Sequence, residues 1–198
     1  MRRFFLPLIA SAFITLATSS AFAGAATDAV KAKQGELFKL LEAENNDANK
    51  KKIATIFDDM LDYDSIASSS LGDEWKNLKD DEKKEFKDLL KQLVTRAYEK
   101  NLRKTLSWNL EYLGDEKAGS EYVVKTKAKH KTDSRADPIT IDFKMADKGG
   151  GKYRVVDIIT EEVSLVGSYR SQFTKIIKKD GFSGLAKKMK EKIAKGDG

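Results

Sequence analysis

Four aspartates, Asp58, Asp59, Asp62 and Asp64, crowd one short segment and invite a divalent-cation reading. A calcium hand needs a glycine at its sharp turn and a closing bidentate glutamate, and neither follows at that spacing, so helix-end capping and surface solvation explain these acids better. His130 is the sole histidine, and no carboxylate stands at ligand spacing beside it, which leaves it without a metal or general-base role. Cysteine is absent and no glycine-rich phosphate loop occurs. Lys125, Lys127, Lys129 and Lys131 alternate along one run, putting their charges on one face while Tyr122, Val124, Thr126 and Ala128 take the other. Such a face could dock anionic lipid or an acidic partner, but a solvated face whose lysines deter edge pairing is the plainer reading. No catalytic set and no metal site emerge, so function has to be sought in shape and apolar surface.

The segment from about 26 to 45 carries Val30, Leu37, Phe38, Leu40 and Leu41 at helical spacing, an amphipathic helix weakened by Gly35. The polar run Glu44 to Asp47 stops it, and a short helix with Ile53, Ile56, Phe57 and Met60 on one side follows, ending near Leu61 to Asp64. Ser68-Ser69-Ser70-Leu71-Gly72 reads as a turn or helix end, and Asp80 as the N-cap of the next helix. There Phe86, Leu89, Leu90, Leu93, Val94, Ala97, Tyr98 and Leu102 form one continuous apolar stripe.

Beyond Lys104 the period changes to two, with Leu106, Trp108, Leu110 and Tyr112 alternating with polar residues. Runs over Tyr122 to Lys131, Ile139 to Met145 and Tyr153 to Thr160 follow, separated by turn-forming residues. Four consecutive strands with short connections predict a twisted antiparallel sheet of about four strands. A helix near Leu165 to Lys178, a break at Gly181 and a helix from Ser183 close the chain. Helices, then sheet, then helices give an α+β class.

Arg2 and Arg3, an apolar run from Phe4 to Ala17 containing Pro7, and Ala21-Phe22-Ala23 read as a cleaved export signal over residues 1–23. The run falls short of the roughly 20 residues a spanning helix requires. A single domain over residues 24–194 and a disordered tail at 195–198 are the corresponding expectations. An exported chain without cysteine must draw its stability from a packed core rather than disulfides. Its net charge, +6 overall and near +4 without Arg2 and Arg3, is modest for this length, and nucleic acid is not an expected partner.

An apolar helical stripe over an apolar sheet face can make a filled core or enclose a pocket, and both need the same inward residues. The candidates for such a wall are Leu106, Trp108, Leu110, Tyr112, Ile139, Ile141 and Phe143 from the strands. Ile66, Trp75, Phe86, Leu90, Val94 and Tyr98 join them from the preceding segments, and Val163, Leu165, Tyr169 and Phe173 from the last.

Two blocks carry a family resemblance. One is Phe57-Asp58, Leu61 through Ala67, Leu71-Gly72, Trp75, Phe86, Leu90 and Tyr98; the other is Asp157 through Phe173, continued by Gly181 and Leu185. In order and spacing the chain resembles the MlaC, or toluene-tolerance, family of periplasmic proteins that carry phospholipids between the outer and inner membranes. Family members often have Gly where this chain has Glu162, and Trp where it has Tyr153; the departure touches the turn rather than the fold.

The resemblance implies a fold related to the NTF2-like type, opening into a deep apolar pocket for acyl chains, with the headgroup near solvent. It also implies a periplasmic monomer that shuttles phospholipid, with an inner-membrane ABC transporter bearing an MCE-domain subunit and an outer-membrane lipoprotein complex as partners. No cofactor other than the bound lipid, and no enzymatic activity, is expected. Arg170 belongs to the family motif; it can meet a phosphate, but a structural ion pair with Asp157 or Asp64 is the favoured reading. Alternatives are a carrier of hopanoid or other polycyclic lipid, a small cavity enzyme of the cone-shaped α+β type using Asp157, and an adaptor docking through its lysine face.

Overall fold

The computed structural model describes residues 24–195, with side chains described throughout except over residues 98–105. The export-signal reading of residues 1–23 and the last three tail residues lie outside the described residues. Lys195 closes the last helix, its N–H donating to Glu191 O.

Four helical segments precede a long fifth: α1 (Ala25–Glu42), α2 (Asp47–Met60), α3 (Tyr63–Leu71), α4 (Glu74–Asn77) and α5 (Asp80–Thr105). Gly35 is accommodated inside α1, whose Val30, Leu37 and Leu41 are buried. Asn46 caps α2 by accepting from Asn49 N at 2.9 Å.

The serine-rich segment, read as a turn or helix end, is the last turn of the helix α3; the separate helix starting at Tyr63 was not expected. Asp62 supplies its N-cap, accepting from Ser65 N at 3.1 Å and Ser65 Oγ at 2.7 Å, and Gly72 at φ 57° ends it. Serine is a weak helix former in isolation, but here Ile66, Ala67 and Leu71 are buried in the core, so packing decides the conformation. Asp80 is the first residue of α5 rather than its cap; Glu82 reaches back to Lys79 N at 2.9 Å, the returning half of a capping box.

The strands β1 (Trp108–Ala118), β2 (Glu121–His130), β3 (Ile139–Asp147), β4 (Tyr153–Thr160) and β5 (Val163–Ser164) make an antiparallel meander in sequence order. The fifth, two-residue strand adds to the four expected. A bulge between Tyr112 and Gly114 turns Leu113 outward, and another between Lys144 and Met145 leaves Val156 unpaired on β4. The last helix, α6 (Leu165–Ala194), is interrupted at Gly181 (φ 68°, ψ −177°), where a break was expected.

The chain is thus α+β. Its core lies where α1, α2 and α3 meet the sheet, around Leu37, Phe57, Met60, Leu61, Phe143, Met145 and Val155. The α2–α3 junction is fastened to β4 by Asp62 N donating to Val155 O at 2.9 Å. Among the described residues no helix is long and apolar enough to cross a membrane.

Candidate functional site

Helices and sheet part company away from that core and enclose an apolar cavity of about 320 Å³. Every strand contributes to its floor: Trp108 and Leu110, Ala128, Ile141 and Phe143, Ile158 and Thr160, and Val163. The two-residue side-chain period puts these on one face, and the register lines them up, Leu110 against Ala128, Phe143 against Ile158 and Ile141 against Thr160. Gln34 and Phe38 of α1 and Val94 and Ala97 of α5 face them, while Leu165, Ser168 and Tyr169 of α6 close the β5 side. Ala128 sits between the larger Leu110 and Ile139 on its neighbouring strands, and its short side chain lowers the floor there.

Polar chemistry inside is sparse. Gln34 is buried, and its Oε1 accepts from Tyr112 Oη at 2.7 Å. Burial pushes the Tyr112 phenol up, and does the same to Tyr169, which stacks on Phe173 at 5.1 Å. Both phenols are therefore neutral hydrogen-bonding groups at ordinary pH, unsuited to act as bases. Beside the cavity lies a second hollow of about 280 Å³ that shares Phe38, Trp108 and Leu110 with it and is rimmed by Lys31, Glu42 and Lys131.

Of the residues expected at a pocket wall, Val94, Trp108, Leu110, Ile141, Phe143, Val163, Leu165 and Tyr169 border the cavity, and Leu106 and Tyr112 border the hollow. Ile66, Phe86, Leu90 and Phe173 are instead packed in the core, with Trp75 set edge-on against Phe86 at 6.2 Å. The reason is that α5 crosses two environments. Its first turns are sealed by Trp75 and by Phe173, which meets Phe86 edge-on at 5.6 Å, whereas Val94 and Ala97 lie over open space. Ile139 is half-buried beside Ala128 but outside the wall, and the Tyr98 side chain lies outside the described residues. Gln34, Phe38, Ala97, Ala128, Ile158, Thr160 and Ser168 border the cavity without having been expected at its wall; the helical stripes of α1 and α5, which include Phe38 and Ala97, were the available signal.

Asp157, the candidate acid or base, is absent from the cavity wall. Its Oδ1 accepts from Ile158 N at 2.9 Å and Val166 N at 3.0 Å, and its Oδ2 from Ser164 Oγ at 2.5 Å, so the carboxylate organises the β4–α6 turn. Ser164 Oγ in turn caps α6, accepting from Gly167 N at 2.8 Å. His130 Nδ1 accepts from Asp133 N at 2.9 Å, and its ring meets Trp108 edge-on at 5.0 Å. The aspartate cluster is divided among lysines: Asp58 with Lys91, Asp59 with Lys33, Asp62 with Lys148 and Asp64 with Lys87. Among the described residues no group of three or more His, Asp or Glu side chains converges on a possible metal position.

The model of the MlaC protein family matches residues 28–191. The chain belongs to the MlaC family. A phospholipid-binding protein from Ralstonia solanacearum, solved in complex with a phospholipid, has a similar fold with a TM-score of 0.71 at 20% identity, over 86% of this chain and 98% of that one. None of the curated proteins compared with the chain matches it.

Two features of the MlaC motif take specific form here. Arg170 Nε donates to Ser69 O at 2.7 Å, so it ties α6 to the end of α3 through a backbone carbonyl and makes neither expected ion pair, with Asp157 or Asp64. The β4–β5 turn places both Glu161 (φ 48°) and Glu162 (φ 64°) in the left-handed region, as a two-residue type I′ hairpin demands. Glu161 is held by Thr140, whose N–H and Oγ1 donate to its Oε1 at 2.5 and 2.9 Å. The lysine face also differs from its expected role. β2 is an interior strand, so its lysines guard no edge; Lys125 pairs with Asp142 of β3 at 2.7 Å and Lys129 with Glu111 of β1 at 2.8 Å.

Proposed function

We propose that the protein is a periplasmic phospholipid carrier that holds acyl chains in the cavity between sheet and helices. Membership of the MlaC family supports the ligand class, and the observation that carries the reading is the cavity itself: apolar on nearly every side, with a volume within the ~300–1,000 Å³ usual for ligand pockets. The R. solanacearum protein of similar fold binds a phospholipid. The residues that would hold the chains are Phe38, Val94, Trp108, Leu110, Ile141, Phe143, Val163, Leu165 and Tyr169.

Each methylene moved from water into such a site gains about 0.8 kcal/mol, which supplies the driving force for keeping chains out of solution. Transport is then a matter of binding without covalent chemistry, with the loaded monomer passing between an outer-membrane lipoprotein complex and an inner-membrane ABC transporter with an MCE-domain subunit. The export signal read over residues 1–23 fits that route.

Native mass spectrometry of protein purified from periplasm, followed by organic extraction and lipid analysis, tests the reading. Co-purified diacyl phospholipid is the expected result. A polycyclic lipid would move the protein to a different cargo, and protein that is empty and takes up no lipid from vesicles would remove the carrier reading.

A further inference from the structure

The apolar cavity has two unlike ends. At the β5 side it finishes on Val163, a large apolar residue that is 61% exposed. At the β1 side it meets the second hollow through the shared walls Phe38, Trp108 and Leu110, and there the surroundings turn polar. Two lysines stand on that rim. Lys31 lies 5.7 Å from the Tyr112 ring, whose hydroxyl is anchored on Gln34, so the aromatic face attracts its ammonium toward the rim. Lys131 follows the end of β2 and is pinned by its own N–H, which donates to Ser107 O at 2.8 Å. Neither has a carboxylate partner among the described residues, although most lysines lining the sheet do; Glu42 is the one acid on the same rim.

A further observation points to an occupant. Gly35 lines the hollow from within α1, and a Cβ built there would meet nothing within 4 Å. Glycine inside a helix is destabilising relative to alanine. Its φ is not positive and no close neighbour demands it, so the cost leaves room on the side that faces the lysines.

We infer that this hollow is the seat of the ligand's phosphodiester, which Lys31 and Lys131 meet while the chains extend under the sheet toward Val163. The inference rests on the carrier reading and adds an orientation to it. Lysine meets phosphate as a point charge with rotatable donors, so the site distinguishes lipids with a phosphate from those without one and is indifferent to the alcohol beyond it.

The experiment measures uptake by the delipidated full mature protein from vesicles containing phosphatidylglycerol or, in parallel, diacylglycerol with the same chains. Wild type is expected to favour the phosphate-bearing lipid about tenfold, the effect of two charge-assisted contacts at an exposed rim. The double variant Lys31→Gln, Lys131→Gln should lose that ratio while still taking up diacylglycerol. Gly35→Leu, which keeps both lysines but fills the hollow, should lower phosphatidylglycerol uptake more than diacylglycerol uptake. Inorganic phosphate alone should displace little lipid; full displacement by it would assign the lysines to free phosphate and overturn the inference. Equal uptake of the two lipids by wild type, or an unchanged ratio in the double variant, would overturn it as well while leaving the carrier intact. Uptake of neither lipid would remove the carrier reading itself.

Discussion

At the scale of single residues, the MlaC motif works through backbone geometry. Asp157 receives two backbone N–H groups and the Ser164 hydroxyl, joining β4 to the first turn of α6. Replacing it by alanine strands donors in a half-buried turn, and hydrogen bonds to a charged acceptor are worth about 1.5–3 kcal/mol each before relaxation. Asp157→Ala is therefore expected to lower unfolding free energy by about 3 kcal/mol in urea titration. Asp157→Asn keeps an oxygen for the two N–H groups and should cost about 1 kcal/mol. Comparable losses in the two variants would contradict a hydrogen-bonding role for the carboxylate. Glu162 presents the reverse case. Its left-handed backbone costs a side-chain-bearing residue about 1–2 kcal/mol, partly offset in glycine by greater freedom of the unfolded chain. Glu162→Gly should stabilise by roughly 0.5 kcal/mol, a small upward shift in denaturation midpoint. Glu161→Gly should not, because Glu161 would lose its two bonds from Thr140.

Among the elements, α3 shows best why parts of this fold were hidden in the sequence. The stripe of α5, the alternation of β2 and β3 and the Gly181 break all lie in local spacing, and local spacing was enough to place them. The local marks of α3, Asp62 as N-cap and Gly72 at its end, are weakened by serines that favour turns. Burial of Ile66, Ala67 and Leu71 decides the helix, and Asp62 fastens its start, its carboxylate capping the helix while Lys148, from the turn after β3, pairs with it. Burial works to raise the Asp62 pKa, but Lys148 and the Ser65 hydroxyl and N–H outweigh it and hold the group below its ordinary value. A carboxylate with a depressed folded pKa contributes stability that is present above the unfolded pKa, near 3.9, and is lost as pH falls through the folded value. Asp62→Ala should thus cost about 1–2 kcal/mol near neutrality and much less in the acid range where the wild-type carboxylate is already protonated. A pH-independent difference would show that the charge is immaterial. Gly181 separates the halves of α6 with a φ, ψ pair open essentially to glycine alone. Gly181→Ala is expected to lose about 1–3 kcal/mol by weakening the docking of Leu185, Met189 and Ile193.

For the molecule as a whole, the decisive feature is where packing stops. Sequence patterning identified inward faces well, and Trp108, Leu110, Ile141 and Phe143 all face in. It could not say which stretch of an inward face meets another side chain and which meets space, because Phe86, Leu90 and Val94 belong to one stripe yet only Val94 reaches the cavity. That boundary depends on the angle between α5 and the sheet and on small residues such as Ala97 and Ala128, whose pattern is the same in a core or a pocket. An unfilled apolar cavity forgoes dispersion contacts that a close-packed interior would make, so the ligand-free protein carries a deficit that the ligand removes. Filling the space from within separates stability from function. Ala128→Leu adds apolar volume at the lowest part of the floor, and Val94→Trp does so from the helix side. Each should leave the ligand-free protein as stable as wild type or more stable, while reducing lipid retained through purification by several-fold. Wild type should also gain thermal stability when loaded, by the linkage that stabilises any state to which a ligand binds, and the filled variants should lose that gain. Variants that fold with the cavity closed yet retain lipid in wild-type amounts would place the ligand elsewhere on the molecule.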